Sequence, residues 1–133
     1  MALKIDHVGI AVRSIDETLR AYCKILGLNP EEVERETVEE QNATVAMLPV
    51  GESRIELLES TSPDGVLAKA IEKKGEGLHH IAIGVDDISA ALENLKEKDI
   101  LLVDKQPRIG AGGAKIAFVH PKSTKALVEL VER

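Results

Sequence analysis

The sequence switches between two hydrophobic periodicities, one typical of strands and one typical of helices. Residues 4–12 form a short apolar and β-branched run, as expected for a strand. The next segment, "RSIDETLRAYCKILGLNP", repeats apolar residues at helical spacing. These positions are Ile15, Leu19, Tyr22 and Leu26. Ser14 and Glu17 have the spacing of a capping box, and Gly27 and Pro30 are typical of a helix end, so the pattern predicts a strand followed by a helix.

Three further strand-like runs complete the first half of the chain. They are "EVERETVE", "ATVAMLPV" and "SRIELLES", separated by turn signals. The second half repeats the order, with "LHHIAIGV" as a strand, "DISAALENLKEKD" as a helix capped by Asp87, and strands in "ILLVDKQPRIG", "AKIAFVHP" and "KALVELVE". We therefore predict an α+β fold of two tandem βαβββ modules in one domain, residues 1–133. Module one lies at about 3–60, a linker helix at about 62–76 and module two at about 77–133.

The repeat carries potential metal ligands at matching positions. His7 and Glu56 are 49 residues apart (56 − 7), and His80 and Glu129 are also 49 apart (129 − 80). A single strand histidine is more often a hydrogen-bonded core residue, and a strand glutamate usually faces solvent. A duplicated pair at equal separation favours a metal site instead, because a carboxylate within an apolar strand is expensive to bury without a partner. Two imidazoles and two carboxylates suit Co²⁺, Ni²⁺, Mn²⁺ or Zn²⁺.

Other polar and reactive residues have more ordinary interpretations. His79 points away from the face of His80 by strand alternation, which favours a supporting or structural role. His120, at a strand end before a proline, suits a turn or a hydrogen bond. Cys23, the single cysteine, falls on the apolar side of the first helix, as expected for a buried, inert thiol. Gly110–Gly113 either cradle an anion with backbone N–H groups or form a glycine-rich connection.

Composition excludes several classes of partner. The chain has 17 basic and 23 acidic residues, a net charge of −6, without a separate basic run, which argues against nucleic acid binding. Tyr22 and Phe118 are the only aromatic residues, so stacking on bases is also unfavourable. Neither a secretory signal nor a stretch long enough to span a membrane is present, and we expect a cytoplasmic protein that does not bind membranes.

Motifs in both halves resemble those of the vicinal oxygen chelate superfamily, which includes glyoxalase I, ring-cleaving dioxygenases and fosfomycin-resistance proteins. Within it, "KIDHVGIAV", "IELLE", "KGEGLHHIAIGVDDI", "PRIGAGGAKIAFVHPK" and "LVELVE" resemble the methylmalonyl-CoA epimerases. "GEGLHHIA", "GAGG" and "FVHPK" discriminate best, and the resemblance covers nearly the whole chain. It implies eight strands in paired modules, a homodimer and an isomerase that interconverts (2R)- and (2S)-methylmalonyl-CoA through a metal-stabilised enolate.

The resemblance also implies the site residues. One divalent metal ion per subunit, with Co²⁺ favoured, would be bound by His7, Glu56, His80 and Glu129. Glu129 would also act as a proton-transferring base. Val45 occupies the position at which some members carry a second glutamate, so Glu56, Glu40 and a water remain as candidates for the opposing base. Glu56 is favoured, because it is the repeat counterpart of Glu129.

Contacts to the acyl-CoA substrate are expected around the glycine-rich loop and the "HPK" segment. The candidate residues are Arg108, Gly110, Gly112, Gly113, Lys115 and Lys122. Solvated side chains are the default interpretation for the two lysines.

Two other functions remain open at this stage. A lyase of the glyoxalase I type shares the His, Glu, His, Glu pattern but isomerises a glutathione hemithioacetal; the linker and the "HPK" segment favour the epimerase. A non-catalytic small-molecule-binding protein of the same fold is the second alternative. The complete set of four ligands argues against it.

Overall fold

The computed structural model describes residues 3–133, which form eight strands and four α-helices. The strands are β1 Lys4–Ala11, β2 Arg35–Val38, β3 Ala43–Val50, β4 Ser53–Ser60, β5 Gly77–Gly84, β6 Arg108–Ile109, β7 Lys115–Val119 and β8 Val128–Glu132. The helices are α1 Ile15–Leu26, α2 Val66–Lys74, α3 Ile88–Glu97 and α4 Pro121–Thr124. Short 3-10 helices lie at Pro30–Glu32, Glu39–Gln41 and Ala111–Gly113. The predicted α+β fold, with strand, helix and three strands in each half, is confirmed.

The chain divides into two compact units, and the first described here consists of Gly9–His79. Strands β2, β3 and β4 form an antiparallel meander, and the Val12 N–H donates to the Leu58 carbonyl at 2.8 Å to join β4 to the chain just after β1. Helix α1 packs its apolar side on this meander. The core consists of Val12, Ile15, Leu19, Cys23, Ala46, Leu48 and Leu57. Cys23 is buried, as the helical pattern predicted.

The second unit consists, among the described residues, of 3–8 together with His80–Arg133. Strand β5 pairs in parallel with β8, which pairs antiparallel with β7, and β7 pairs antiparallel with β6. Helix α3 covers one side of these strands, and its buried residues pack in a cluster of Ile88, Leu92, Leu102, Ala117, Val119 and Leu130. The parallel pairing of β5 and β8 brings the first and last strands of the second βαβββ run side by side.

The start of α1 and the start of α3 are built in the same way. Ser14 Oγ accepts a hydrogen bond from the Glu17 N–H at 3.2 Å, and Asp87 Oδ1 accepts one from Ala90 at 3.0 Å, so both predicted caps are confirmed. Each first helical N–H also donates to a glutamate from the last strand of the same half. Ile15 donates to Glu59 Oε1 at 2.7 Å, and Ile88 donates to Glu132 Oε1 at 2.9 Å.

Two strands predicted in the second half are shorter in the structure. The strand predicted in "ILLVDKQPRIG" shrinks to β6 and a single bridge between Leu102 and Val119. The N–H groups of Val103 and Asp104 both donate to the Phe118 carbonyl, which interrupts the ladder, and the following Pro107 has no N–H to contribute. The strand predicted in "KALVELVE" begins only at Val128, because Lys125 adopts a left-handed conformation with φ +67°.

The segment before β8 contains α4, which the sequence pattern did not predict. His120 caps this short helix, and its Nδ1 accepts a hydrogen bond from the Lys122 N–H at 3.0 Å. The hydrogen-bonding role predicted for His120 is therefore confirmed. Along the described residues, every helix falls short of the length and apolarity needed to cross a membrane.

Candidate metal centre

Three of the predicted ligands converge within the unit that contains β5 and β8. His7 Nε2 on β1 lies 3.0 Å from His80 Nε2 on β5, and 3.1 Å from Glu129 Oε1 on β8. His80 Nε2 lies 3.7 Å from the same carboxylate oxygen. All three residues are at most 5% exposed. The structure thus joins two imidazoles and a carboxylate that are far apart in the sequence.

Local packing explains why these side chains can meet. Ala82 lies opposite Glu129 in the parallel pair of β5 and β8 and is fully buried, so its methyl group leaves space beside the carboxylate. The two imidazole rings stand nearly perpendicular, at 86°, with centroids 5.1 Å apart. Phe118, opposite Glu129 on β7, packs edge-on against His80 with centroids 5.6 Å apart. An aromatic ring therefore supports the orientation of His80.

Two charged residues that the sequence analysis did not select lie behind His7. Asp6 is 3% exposed, and its Oδ2 is 2.7 Å from His7 Nδ1. Arg133 donates to both oxygens of Asp6, from Nε at 2.9 Å and from Nη2 at 2.7 Å. Burial raises the pKa of Asp6, but the hydrogen bonds from Arg133 and His7 outweigh burial and hold that pKa well below its usual range. The sequence feature that could have identified Asp6 is a carboxylate within an apolar strand.

The donor set fits a first-row divalent cation. Because the Asp6 carboxylate is ionised, it can only accept hydrogen bonds, so His7 Nδ1 carries the hydrogen between them. Nε2 is therefore the ring nitrogen that is left to bind a cation, beside Glu129 and the second imidazole. Two imidazole nitrogens and a carboxylate oxygen this close, in a buried place, require a shared proton or a shared metal ion between them. Nitrogen and carboxylate donors together match the preferences of Co²⁺, Ni²⁺, Mn²⁺ and Zn²⁺.

Glu56 lies in the other unit, in the middle of β4. It is opposite Met47 on β3 and is 5% exposed, which makes it one of the buried charged residues of the described chain. Burial excludes the solvent-facing interpretation of this glutamate. Its role as a fourth ligand and as a second base stays a prediction. Glu40, the other candidate side chain for the second base, is exposed in the 3-10 helix Glu39–Gln41. Val45, at the position where some members carry a second glutamate, is buried on β3.

The predicted substrate contacts lie at both ends of β7. Arg108 and Lys115 flank the glycine-rich loop, which closes through a hydrogen bond from the Gly110 N–H to the Ala114 carbonyl at 2.8 Å. Gly112 and Gly113 have φ of +68° and +74°, a conformation that favours glycine. Lys122 follows the far end of β7, in α4. The structure therefore separates Lys122 from the loop by a whole strand.

The two basic residues beside the loop also hold carboxylates. Arg108 Nε lies 3.1 Å from Asp104 Oδ1, and Lys115 Nζ lies 3.7 Å from Glu132 Oε2. The Arg108 guanidinium carbon is 5.9 Å from the centre of the Phe118 ring, at cation–π distance. Since Phe118 also contacts His80, the Phe118 ring lies between Arg108, beside the loop, and His80 in the metal cluster.

Comparisons with known proteins identify the family. Residues 6–118 match the family model of the Glyoxalase/Bleomycin resistance protein/Dioxygenase superfamily. The chain belongs to this superfamily. The resemblance found in the sequence is therefore confirmed, as is the mixed α+β fold of its members.

Individual members of the superfamily are similar over almost the whole chain. Uncharacterized protein YqjC of Bacillus subtilis (strain 168) is 43% identical over 130 residues, which are 97% of this chain and 91% of that protein. The mitochondrial methylmalonyl-CoA epimerase of Homo sapiens is 36% identical over 96% of this chain and 72% of its own length. A methylmalonyl-CoA epimerase solved in complex with methylmalonyl-CoA and NH4+ is 36% identical, with a TM-score of 0.88 over 99% of this chain and 95% of that chain.

Proposed function

We propose that the protein is a methylmalonyl-CoA epimerase, an isomerase that interconverts the (2R) and (2S) forms of its substrate. The observation that carries the proposal is the convergence of His7, His80 and Glu129 in a buried cluster. The similarity to a solved epimerase with methylmalonyl-CoA supports the choice of substrate. The similarity to that epimerase favours proton transfer beside an acyl-CoA carbonyl.

We propose that these three residues bind one divalent ion together with Glu56. The burial of Glu56 within an apolar strand supports this assignment, as does its position as the repeat counterpart of Glu129. When bound, the ion supplies positive charge that stabilises the negative charge developing on the thioester oxygen as the C2 proton leaves. Co²⁺ is the proposed ion, with Mn²⁺, Ni²⁺ and Zn²⁺ as alternatives.

Proton transfer is assigned to the glutamates. C2 of methylmalonyl-CoA lies between a thioester and a carboxylate, so its hydrogen is acidic enough for a positioned carboxylate to remove. Glu129 takes the proton from one face of C2, and Glu56, protonated beforehand from solvent, donates a proton to the opposite face; Glu129 then returns its proton to solvent. Apolar surroundings, including Ala82 beside Glu129, keep water away from the reacting carbon. Inversion follows without net oxidation or reduction.

The phosphate and carboxylate groups of the substrate would be bound at the glycine-rich loop. We assign this role to Arg108 and Lys115 together with the loop residues Gly110, Gly112 and Gly113, and to Lys122 as a more distant contact. A homodimer is also proposed. Sedimentation velocity would show a species of about 29 kDa for a dimer of this 14.4 kDa chain.

Proton NMR in D₂O tests the function directly. With metal-loaded protein, the C2 proton signal of (2S)-methylmalonyl-CoA should disappear while the (2R) epimer forms, and chelation should stop both changes. Absence of exchange in the metal-loaded protein would overturn the proposal, and the glutathione hemithioacetal would be the next substrate to test. Absence of both bound metal and metal-dependent activity would instead favour a binding protein.

The role of Glu56 is tested in the same assay. A Glu56→Gln variant should bind metal, because the amide oxygen can replace a carboxylate oxygen, but it should lose epimerisation. Full activity in Glu56→Gln would transfer the second-base role to Glu40 or to water. Glu40→Gln distinguishes these two, since only a role for Glu40 would make that variant inactive.

A further inference from the structure

The function proposed above does not use Asp6 or Arg133. Asp6 Oδ2 lies 2.7 Å from His7 Nδ1, and Arg133 donates to Oδ1 from Nε at 2.9 Å and to Oδ2 from Nη2 at 2.7 Å. Asp6 is 3% exposed, and the Arg133 side chain is 32% exposed. The three side chains therefore form a line of hydrogen bonds from the partly exposed guanidinium to the buried imidazole.

The chemistry of this line places a hydrogen on Nδ1 of His7. The planar guanidinium of Arg133 donates two hydrogen bonds to the Asp6 carboxylate, and such bidentate pairing holds the carboxylate in one orientation. An ionised carboxylate has no hydrogen to donate, so the short contact to His7 Nδ1 requires an Nδ1–H group. In the neutral ring this places the metal-binding lone pair on Nε2, the atom that faces Glu129 and His80.

We propose that Asp6, held by Arg133, is the positioning residue that fixes the tautomer and the ring orientation of His7 for metal binding. The inference rests on the metal-binding part of the proposed function, and not on the identity of the substrate. Carboxylates that accept the second N–H of a metal-binding histidine act in this way in metalloproteins generally. Here the carboxylate precedes its histidine directly in the sequence.

A carboxylate directly before the histidine occurs only in the first half of the repeat. His80 is the counterpart of His7, and the residue before it is His79, an imidazole instead of a carboxylate. His80 has the edge of Phe118 against its ring instead. Changes at Asp6 should therefore act first on the His7 ring, and should reach His80 only through the contact between the two Nε2 atoms.

Three variants and one control separate positioning from a merely structural role. Asp6→Ala removes the acceptor, Asp6→Asn keeps an acceptor oxygen without its charge, and Arg133→Ala releases the carboxylate from the bidentate pairing. Asp87→Ala is the matched control, since it removes the cap of α3 in the same unit and should lower Tm without contacting His7. The measurements are ¹⁵N NMR of the histidine rings without metal, and Co²⁺ and Zn²⁺ affinity by calorimetry.

We expect wild-type His7 to be in the Nδ1–H form. Asp6→Ala should raise the Nε2–H population and weaken Co²⁺ and Zn²⁺ binding by about 10–100-fold. Asp6→Asn should recover part of that loss, Arg133→Ala should lose less than Asp6→Ala, and Asp87→Ala should keep wild-type affinity and tautomer. Should Asp6→Ala not fold, the ring signals and affinities of Asp6→Asn and Arg133→Ala still test the inference.

Wild-type tautomer and affinity in the Asp6 and Arg133 variants would overturn the inference. So would an Nε2–H form of His7 in the wild-type protein. Failure of the proposed function is distinguishable from failure of this inference. If the wild-type protein binds Co²⁺ and the variants show these effects, but the C2 proton of methylmalonyl-CoA does not exchange, the positioning role of Asp6 stands and the epimerase activity is excluded.

Discussion

His7 Nε2 and His80 Nε2 lie 3.0 Å apart, although 73 residues separate them in the sequence. The same offset of 73 relates the two helix caps, Ser14 and Asp87. It also relates Glu59 to Glu132, which accept hydrogen bonds from the first residues of the helices. The internal repeat is therefore visible at atomic detail in the hydrogen bonding of each half as well as in the sequence.

The first prediction concerns the proposed base. Glu129→Gln removes the carboxylate that accepts the proton, while its amide keeps a similar shape. We expect the rate of C2 proton exchange to fall by about 10²–10⁴-fold, the range for loss of a general base. NMR in D₂O measures this rate. Glu93→Gln, at an exposed position on α3, is the control and should retain wild-type exchange; comparable rates in the two variants would exclude Glu129 as the base.

Metal addition should stabilise the folded protein. An ion that binds only the native state contributes about 2.7 kcal/mol when its concentration is 100 times Kd. Thermal unfolding with Co²⁺ or Zn²⁺ should therefore show a higher Tm than unfolding with a chelator. His80→Ala should lose most of this shift, because it removes an imidazole from the cluster. An equal shift in His80→Ala would mean that the ion binds elsewhere.

Glu59 should contribute to stability through the start of α1. Its carboxylate accepts the Ile15 N–H at 2.7 Å and places negative charge at the positive end of the helix. Glu59→Ala leaves this N–H without the carboxylate, so we expect a loss of about 1–3 kcal/mol. Urea unfolding measures the loss, and Glu72→Ala, exposed on α2, serves as the comparison. A loss no larger than that of Glu72→Ala would contradict the assignment.

Leu92 should be the most informative core position in α3. It is 1% exposed within the cluster that joins α3 to β7 and β8. Leu92→Ala removes buried methyl groups and leaves a cavity, for which we expect about 2–5 kcal/mol of lost stability. Denaturant unfolding provides the value. Leu101→Ala, at a position 48% exposed, should lose much less, and equal losses would show that burial does not explain the effect.

Regular patterns predicted most of the fold. The apolar spacing of α1 and α3, their caps and the apolar runs of the longer strands each identify an element locally, without knowledge of distant residues. The prediction failed in "ILLVDKQPRIG", where apolar residues are abundant but two N–H groups share the Phe118 carbonyl. Apolar content does not report how the backbone pairs, so only the structure could show this interruption.

The site residues that could be predicted are those that the internal repeat duplicates. His7, Glu56, His80 and Glu129 repeat at equal spacing, which made them visible in the sequence. Asp6 and Arg133 have no such repetition. They are 127 residues apart, and a pairing at this distance depends on the three-dimensional arrangement of the strands. Their contact with His7 could not be inferred from spacing.

Strand β8 and the residue after it carry side chains with three different roles. Glu129 belongs to the metal cluster, Glu132 accepts the N–H at the start of α3, and Arg133, directly after the strand, holds Asp6. A one-residue slip of a strand sends every side chain to the opposite face. One inserted residue in β8 would therefore remove Glu129 from the metal cluster, Glu132 from the start of α3 and Arg133 from its ion pair with Asp6 in a single change. Length changes during evolution or engineering should be accepted in the exposed turn at Gly51 and Glu52 and rejected in β8.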